Sequence, residues 1–413
     1  MKDAAITDAD RPILIEGARV VLDDRVEEVS VRIEAGRIAG LDTGADGATR
    51  IDAGGMVLAP AMIDVHGDAF ERQMMPRPGV TVPTAPALLE TDRQLGANGI
   101  GTAYHALTLS WEPGLRSVET GWQVYEGLQA LAPRLTVDNR LQLRWETFCF
   151  EALPLIEAAL ATDPRPSIAF NDHTTMAALH PDVPIQERPF DHAPNYPVVD
   201  MASDEFAQKM ESRARRAHLP VADFVALFRK MWDRRAEVPT MVETVAEHGR
   251  AAGAPMFSHD DSQPRTRAHF RALGSRVSEF PMNLATATEA REAGDLIVFG
   301  APNAARGGSH LGSPGAGEMV RRGLCDILAS DYYYPAMLAA VARLKADGIG
   351  ELPALWRLVA GNPARASGLL DRGRIKPGLR ADLVLIDWPE DGTPAVRQTW
   401  VAGRTAYSAR AAG

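Results

Sequence analysis

The chain has 413 residues, 46% hydrophobic and 24% charged, with a formal net charge of −10. That balance belongs to a globular protein and excludes a disordered or collagen-like chain, while the length suits one large α/β barrel with an accessory domain or two to three ordinary domains. The acidic excess argues against general binding to nucleic acid or an anionic membrane, and no run of about 18 uncharged apolar residues offers a membrane helix.

The opening MKDAAITDADRP lacks the apolar stretch of a secretory signal. ILIEGARVVL, VEEVSVRIEAGRIAGLD and TRIDAGGMVLAP follow, alternating apolar and polar residues around turns such as Glu34-Ala35-Gly36-Arg37. This pattern predicts antiparallel strands and hairpins. The last segments, GRIKPGLRADLVLIDW and VRQTWVAGRTAY, repeat it. The expectation is a small β-sandwich built from residues 1–57 and 369–413, with two unrelated terminal decorations as the alternative.

Between these ends, residues 58–368 alternate short apolar runs with helical stretches, as parallel βα units do. The candidate strands are VLAPAMIDV, GTAYHALTL, LQLRWETF, SIAFND, PMFSHDD, RVSEFPM, LIVFGAPN and CDILASD. Eight strands with intervening helices predict a (β/α)₈ TIM barrel. An open doubly wound sheet would more often carry a Gly-x-Gly-x-x-Gly turn after its first strand, and none follows here. A helix-rich insertion spans about 174–250 and could form a lid. Cys149 and Cys325 lie in apolar segments, which predicts buried, reduced thiols in a cytoplasmic protein.

The polar residues fall at particular places on these strands. His66 and Asp68 follow the first, Glu146 ends the third, and Asp172 and His173 follow the fourth. His259, Asp260 and Asp261 follow the fifth, Glu279 lies in the sixth, Asn303 follows the seventh and Asp331 ends the eighth. In a TIM barrel the C-terminal strand ends form the face on which active sites are built. His66 and Asp68, two apart on an extended segment, point the same way into the mouth. Imidazoles and carboxylates suit Zn²⁺, with Mn²⁺ and Fe²⁺ fitting nearly as well. One or two divalent metal ions are therefore expected. Glu146 can bridge two cations, His173 and His259 would complete a second shell, and Asp331 can bind metal while taking a proton from water.

Taken singly, each residue has a plainer reading. A strand-end histidine is often structural, Asp172 or Asp261 can be a helix N-cap, and Glu279 can be a buried, hydrogen-bonded acid. Glu71 falls after the turn and is not expected to be a ligand. After the seventh strand, Arg306, Gly307, Gly308, Ser309 and His310 offer a guanidinium fork, close backbone approach and further donors to an anionic substrate, with Asn303 nearby. The plainer reading of that stretch is a flexible surface turn.

These residues resemble the amidohydrolase superfamily, metal-dependent hydrolases on a (β/α)₈ barrel, usually with a β-sandwich formed from both chain ends. The tail Gly361-Asn362-Pro363-Ala364, Gly373-Arg374-Ile375-Lys376-Pro377-Gly378 and Ala381-Asp382-Leu383-Val384 is a frequent ending there. The usual first-strand motif is His-x-His, and here it is His66-Gly67-Asp68. Within the superfamily the chain is similar to the diphosphatases of the carbon–phosphorus lyase pathway (the PhnM family), which remove diphosphate from α-D-ribose 1-methylphosphonate 5-triphosphate. IDVHGD, PRPGV, RWE, NDH, FSHDD, EFP, GAPNAARGGSHLG and LASDYYYPAML carry the similarity over roughly 58–340. It implies a metal shell of His66, Asp68, Glu146, His173, His259 and Asp331, with Asp331 also the general base, and a small anionic substrate. The chain departs from that pattern at Ala69, where asparagine is usual, and at Thr174-Thr175-Met176-Ala177-Ala178 in place of Pro-Gly-Gln-Arg-Gln. The rival expectations are hydrolysis of a C–N bond by the same centre and a binding barrel without turnover. No nucleic acid or membrane partner is expected, and the sequence leaves room for a homo-oligomer.

Overall fold

Uninterrupted apolar runs become strands covered on both faces, and alternating runs become strands with one face open to solvent. The computed structural model describes residues 11–308, 314–390 and 392–409. Its central sheet has eight parallel strands in sequence order: β1 (Met62–Gly67), β2 (Ile100–Leu109), β3 (Asp138–Glu146), β4 (Ser167–Asn171), β5 (Met256–His259), β6 (Val277–Glu279), β7 (Leu296–Gly300) and β8 (Ile327–Ala329). The sheet closes between its last and first strands. Gly67 bridges Asp331 in parallel, Asp331 N–H donates to His66 O at 2.9 Å, and Asp68 N–H donates to Asp331 O at 2.9 Å. All eight expected barrel strands are present, in the expected order.

Strand periodicity carries the core directly into the mouth. Ala169, Phe257 and Val277 share a buried apolar cluster with Val298 and Ile327. Two residues further along the same strands stand Asn171, His259 and Glu279, which by the two-residue repeat keep the same direction. Three polar side chains are thus set on a rigid apolar floor.

Two further sheets come from the chain ends. The first has four strands in the order Arg37–Leu41, Val31–Glu34, Ile13–Glu16 and Thr49–Asp52. The second has six and joins both termini: Val57–Pro60 pairs antiparallel with Leu383–Asp387. Because Val57–Pro60 runs almost directly into β1, this sheet fixes where the first barrel strand begins. The sheets share a core that includes Ile15, Val20, Ile33, Leu58, Leu383 and the fully buried Trp400.

Between β4 and β5 the chain makes the long helical excursion expected from the sequence. Helices Asp204–Arg216 and Val221–Trp232 pack on each other through Phe206, Met210, Phe224 and Phe228. Trp111, beyond β2, lies 5.8 Å from Phe224 and 5.7 Å from Phe228, and its Nε1–H donates to Thr174 Oγ1 at 2.9 Å. This aromatic contact pins the pair of helices over the strand ends. Helix Val238–Ala252, by contrast, packs Val238, Val242, Val245 and Ala246 into the barrel's own outer core. Among the described residues, no helix is long and apolar enough to cross a membrane.

Candidate metal centre

At the C-terminal strand ends, three sets of ligand atoms lie within 4.8 Å of one another. They are His66, His259 and Glu279; His173, His259 and Asp260; and His66, Asp68 and Asp331. The sets overlap at His66 and His259, whose ring centroids are 5.3 Å apart. His173 stands 6.0 Å from His259 on the other side. Phe280 presses edge-on against both His66 and His259, at 5.1 and 5.2 Å, and limits how either ring can turn.

The backbone turns sharply where these ligands leave the barrel. Asp260, Phe280 and Asp331 all have positive φ, at 57°, 55° and 55°. Such a conformation is strained for a residue with a Cβ, by about 1–3 kcal/mol each, and persists only where the surroundings enforce it. Here the enforcement is visible for each. Asp260 N–H donates to Glu279 O, Phe280 N–H to Val298 O, and Asp331 N–H to His66 O, at 2.9–3.0 Å. Each strand end is tied to a neighbouring strand, so the side chains are aimed by the barrel itself. Gly67 answers a separate constraint, because a Cβ there would lie 2.5 Å from Asp64 Oδ2 and 3.1 Å from Tyr334. Buried Asp64 in turn accepts from Ser330 N–H at 3.0 Å and from the Ser330 hydroxyl, locking β1 to β8.

The electrostatics are those of charge held away from water. Glu279 is fully buried, accepts from Gln142 Nε2 at 2.9 Å and lies 3.1 Å from His66 Nδ1. Burial opposes its charge, but His66 beside it still holds the carboxyl below the usual range. Asp260 lies 3.1 Å from His259 Nδ1 and 3.7 Å from His173 Nε2. Burial again opposes ionisation, and the two imidazoles keep the carboxyl well below its ordinary value. His259 is pushed the other way by burial and disfavours a proton, as a ligand should. Asp331 is pushed up to about 6, first by burial and then by Asp68 nearby.

The donor set fits divalent metal. Among the described residues, His66 Nδ1, both ring nitrogens of His259 and Glu279 Oε2 are buried without an aligned hydrogen-bond partner. An unsatisfied buried polar atom costs about 1–3 kcal/mol, and four within one pocket make sense as ligands awaiting a cation. Nitrogen and carboxylate oxygen are the donors that Zn²⁺, Mn²⁺ and Fe²⁺ accept.

The residues expected from the sequence divide into those brought together and those used otherwise. His66, Asp68, His173, His259 and Asp331 all reach the centre. Glu146 stands at its edge and is in none of the three sets. It accepts from the Asn171 side-chain amide and from His173 N–H at 3.0 Å, and lies 2.8 Å from His173 Nδ1. Its geometry orients His173, while Asp260 occupies the space between His173 and His259. Asp172 caps helix His173–Ala177 by accepting from Thr175 N–H at 2.7 Å. Asp261 faces buried Arg267 and the Ser258 hydroxyl. Glu71 pairs with Arg116 through both oxygens, at 2.9 and 2.8 Å.

The stretch after β7 differs from its expected role. Gly307 and Gly308 end helix Ala301–Arg306: Gly307 has φ 83°, its N–H donates to Ala304 O at 3.3 Å, and Gly308 N–H donates to Asn303 O at 2.9 Å. Their amides close a helix and are not presented to an anion, because the uncapped carbonyls of that short helix claim them. Asn303 does lie at the mouth, since a Cβ on Gly300 would be 3.5 Å from Asp331 Oδ2 and 3.8 Å from Asn303 Nδ2. Arg306 is exposed at the helix end, and Ser309 and His310 lie outside the described residues.

The sequence reading missed Glu279 and Asp260 as ligands, though it placed both at the strand ends, and missed Arg144 altogether, whose Nη1 is 3.7 Å from Asp68 Oδ2. Arg144 sits inside β3, and Glu279, which ends β6, falls in the middle of the expected run RVSEFPM, where a buried acid or base has a structural reading. Their signal was parity: each shares its strand's inward phase with the residues of the mouth.

A closed eight-stranded parallel barrel with histidines and carboxylates at its C-terminal strand ends defines a metal-dependent hydrolase architecture, and residues 176–407, more than half of the chain, match the amidohydrolase family. The chain belongs to that family and is a hydrolase of it. It is 28% identical over 410 residues to the alpha-D-ribose 1-methylphosphonate 5-triphosphate diphosphatase of Escherichia coli (strain K12), covering 96% of this chain and 100% of that enzyme. Among solved structures it resembles a D-hydantoinase from Bacillus sp. AR9, with a TM-score of 0.60 and 12% identity over 96% of this chain and 95% of that one. It also resembles a zinc-bound adenosine deaminase from Xanthomonas campestris, with a TM-score of 0.58 and 15% identity over 95% and 92%. These two similarities establish the shared fold.

Proposed function

We propose that this chain is a metal-dependent diphosphatase that cleaves a phosphoanhydride of α-D-ribose 1-methylphosphonate 5-triphosphate, or of a close relative, and releases diphosphate. The observation that carries the reading is the end-to-end similarity to the Escherichia coli diphosphatase, at 28% identity over the whole of that enzyme. Barrels that open amide or amine bonds resemble the chain at only 12–16% identity.

When bound, divalent ions would polarise the phosphoryl oxygens and lower the pKa of a water towards neutrality. His66, Asp68, His173, His259 and Asp331 would hold them, with Asp260 and Glu279 reaching the same space. Glu146 orients the His173 ring, and Gln142 orients Glu279. Asp331 takes the proton of the attacking water as its oxygen bonds to phosphorus, and diphosphate leaves with the electron pair of the broken P–O bond. Arg144, buried beside Asp68, offsets the negative charge gathered at the mouth. Two free, buried thiols, Cys149 and Cys325, are in keeping with a reaction run in the reducing cytoplasm.

The test is hydrolysis by metal-loaded protein, followed by ³¹P NMR, with the ribose methylphosphonate triphosphate set against cyclic amides, N-acyl compounds and aminated heterocycles. Diphosphate release with the triphosphate is expected. Turnover of an amide or amine without diphosphate release would assign the same centre to C–N bonds.

A further inference from the structure

Beside the metal centre opens a cleft of about 350 Å³. Its lining includes Glu146 and His173 of the centre, together with Arg116 and with Lys209, Arg213 and Arg216 of helix Asp204–Arg216. Two of these cations are matched. Arg116 is held by both oxygens of Glu71, and Arg213 Nε donates to Glu112 at 2.8 Å. The other two are not. Lys209 Nζ donates only to carbonyls, Ala177 O at 2.9 Å and Leu179 O at 3.4 Å, and Arg216 forms no ion pair among the described residues. Both keep much of their surface exposed, and partial burial is the first reason their affinity for a proton is lowered: for Arg216 the attraction of Glu112 is set against the repulsion of Arg116 and Arg213, and for Lys209 the repulsion of Arg213 outweighs the attraction of Glu205. Thr108, which also lines the cleft, is buried with its hydroxyl unpartnered.

A protein gains nothing in stability by adding Lys209 and Arg216, which form no ion pair among the described residues, to a cleft that already holds Arg116 and Arg213. Three arginines in the last turn of a helix have a plainer explanation in the helix dipole, since cations there face the free carbonyls. That explanation fits Arg215 as well, which is exposed as Lys209 and Arg216 are but does not line the cleft. It does not account for Lys209, two turns earlier, or for the convergence of Arg116 from a separate segment.

We infer that this cleft is the anion-binding arm of the active site, and that it holds the diphosphate end of a polyphosphorylated substrate while the scissile bond lies over the metal ligands. The inference deepens the phosphoanhydride reading and rests on it. Arg216 and Lys209 supply the unmatched positive charge, Arg213 and Arg116 fix the shape of the wall, and Thr108 offers a hydroxyl to a phosphoryl oxygen. The helical excursion thereby gains a purpose, since it brings to the mouth the cations that the barrel strands lack.

The experiment is calorimetric titration of the metal-loaded, full-length protein with inorganic diphosphate, for the native chain and for Arg216→Gln, Lys209→Gln and Arg215→Gln. Metal content and thermal midpoint are measured on each. Loss of one charge-assisted contact weakens diphosphate by about 10–100-fold, so that loss is expected for Arg216→Gln and Lys209→Gln. Arg215→Gln should bind as the native chain does, and all three should keep their metal. Native affinity in Arg216→Gln and Lys209→Gln would overturn the inference, as would an equal loss in Arg215→Gln, which would show only a general effect of net charge. If the native chain binds diphosphate through these residues but releases none from the ribose triphosphate, the cleft stands and the substrate assignment fails.

Discussion

Asp331 and Glu279 show how much one strand-end residue can decide. Asp331 is half-buried beside Asp68 and carries its proton up to about 6, so it can both hold a cation and exchange a proton. Asp331→Asn should lower kcat by about 10²–10⁴-fold, the range for a lost general base, while the thermal midpoint stays near that of the native chain. Unchanged single-turnover rates at saturating metal would remove Asp331 from the proton path. Glu279 was legible only as a buried acid, because the expected run RVSEFPM continues past it and hides that it ends the strand facing His66 and His259. Glu279→Gln keeps the hydrogen bond from Gln142 within reach but removes the charge. It should weaken metal binding by about 10–100-fold in a chelator competition. The matching Glu146→Gln should cost less, since Glu146 acts through His173 and stands outside the three ligand sets.

At the scale of elements, the ligands are aimed by the ties between neighbouring strands and the helices behind them. Arg267, on helix Pro264–Ala272, is fully buried and lies 3.0 Å from Asp295 and 3.4 Å from Asp261, which immediately follows the β5 turn. Removing one partner of a buried pair leaves an uncompensated charge and costs about 3–5 kcal/mol. Arg267→Met should therefore lower the urea midpoint and, by loosening the Asp260–Asp261 turn, also reduce metal content. A variant as stable as the native chain would show that Asp261 and Asp295 find other partners. The eight strands themselves were plain in the sequence because parallel strands covered on both faces are short, dense apolar runs. The helical excursion was legible as helix and misjudged in extent. Val238–Ala252 belongs to the barrel wall, because its apolar face docks on the barrel's outer core while Asp204–Arg216 and Val221–Trp232 pack on each other.

For the whole molecule, pH and metal should act together on stability. His192 is half-buried against His269, and loss of water is the main reason its pKa is lowered to about 4, with His269 and Arg235 repelling its charge against the pull of Asp191. An unfolded histidine titrates near about 6.5, so between that pH and about 4 the unfolded chain binds a proton that the native chain refuses. Stability is therefore full above about 6.5 and declines as pH falls. The difference between urea midpoints at pH 7.5 and 5 should shrink in His192→Gln; an equal difference would rule His192 out as a source. Stripping metal with a chelator should lower the thermal midpoint and abolish turnover, and metal present at 100 times its Kd should restore about 2.7 kcal/mol.

The sequence by itself determined the barrel, the joining of both termini in one sheet, and the set of histidines and acids available at the strand ends. Periodicity and strand-end position are local properties, and local properties are written in the order of residues. Tertiary structure alone decided which of those groups meet. It placed Glu279 and Asp260 against the histidines, moved Glu146 to the edge, turned Gly307 and Gly308 into a helix cap, and carried Arg216 and Lys209 to the mouth. Those outcomes depend on barrel closure and on the packing of segments far apart in the chain, which no local pattern records.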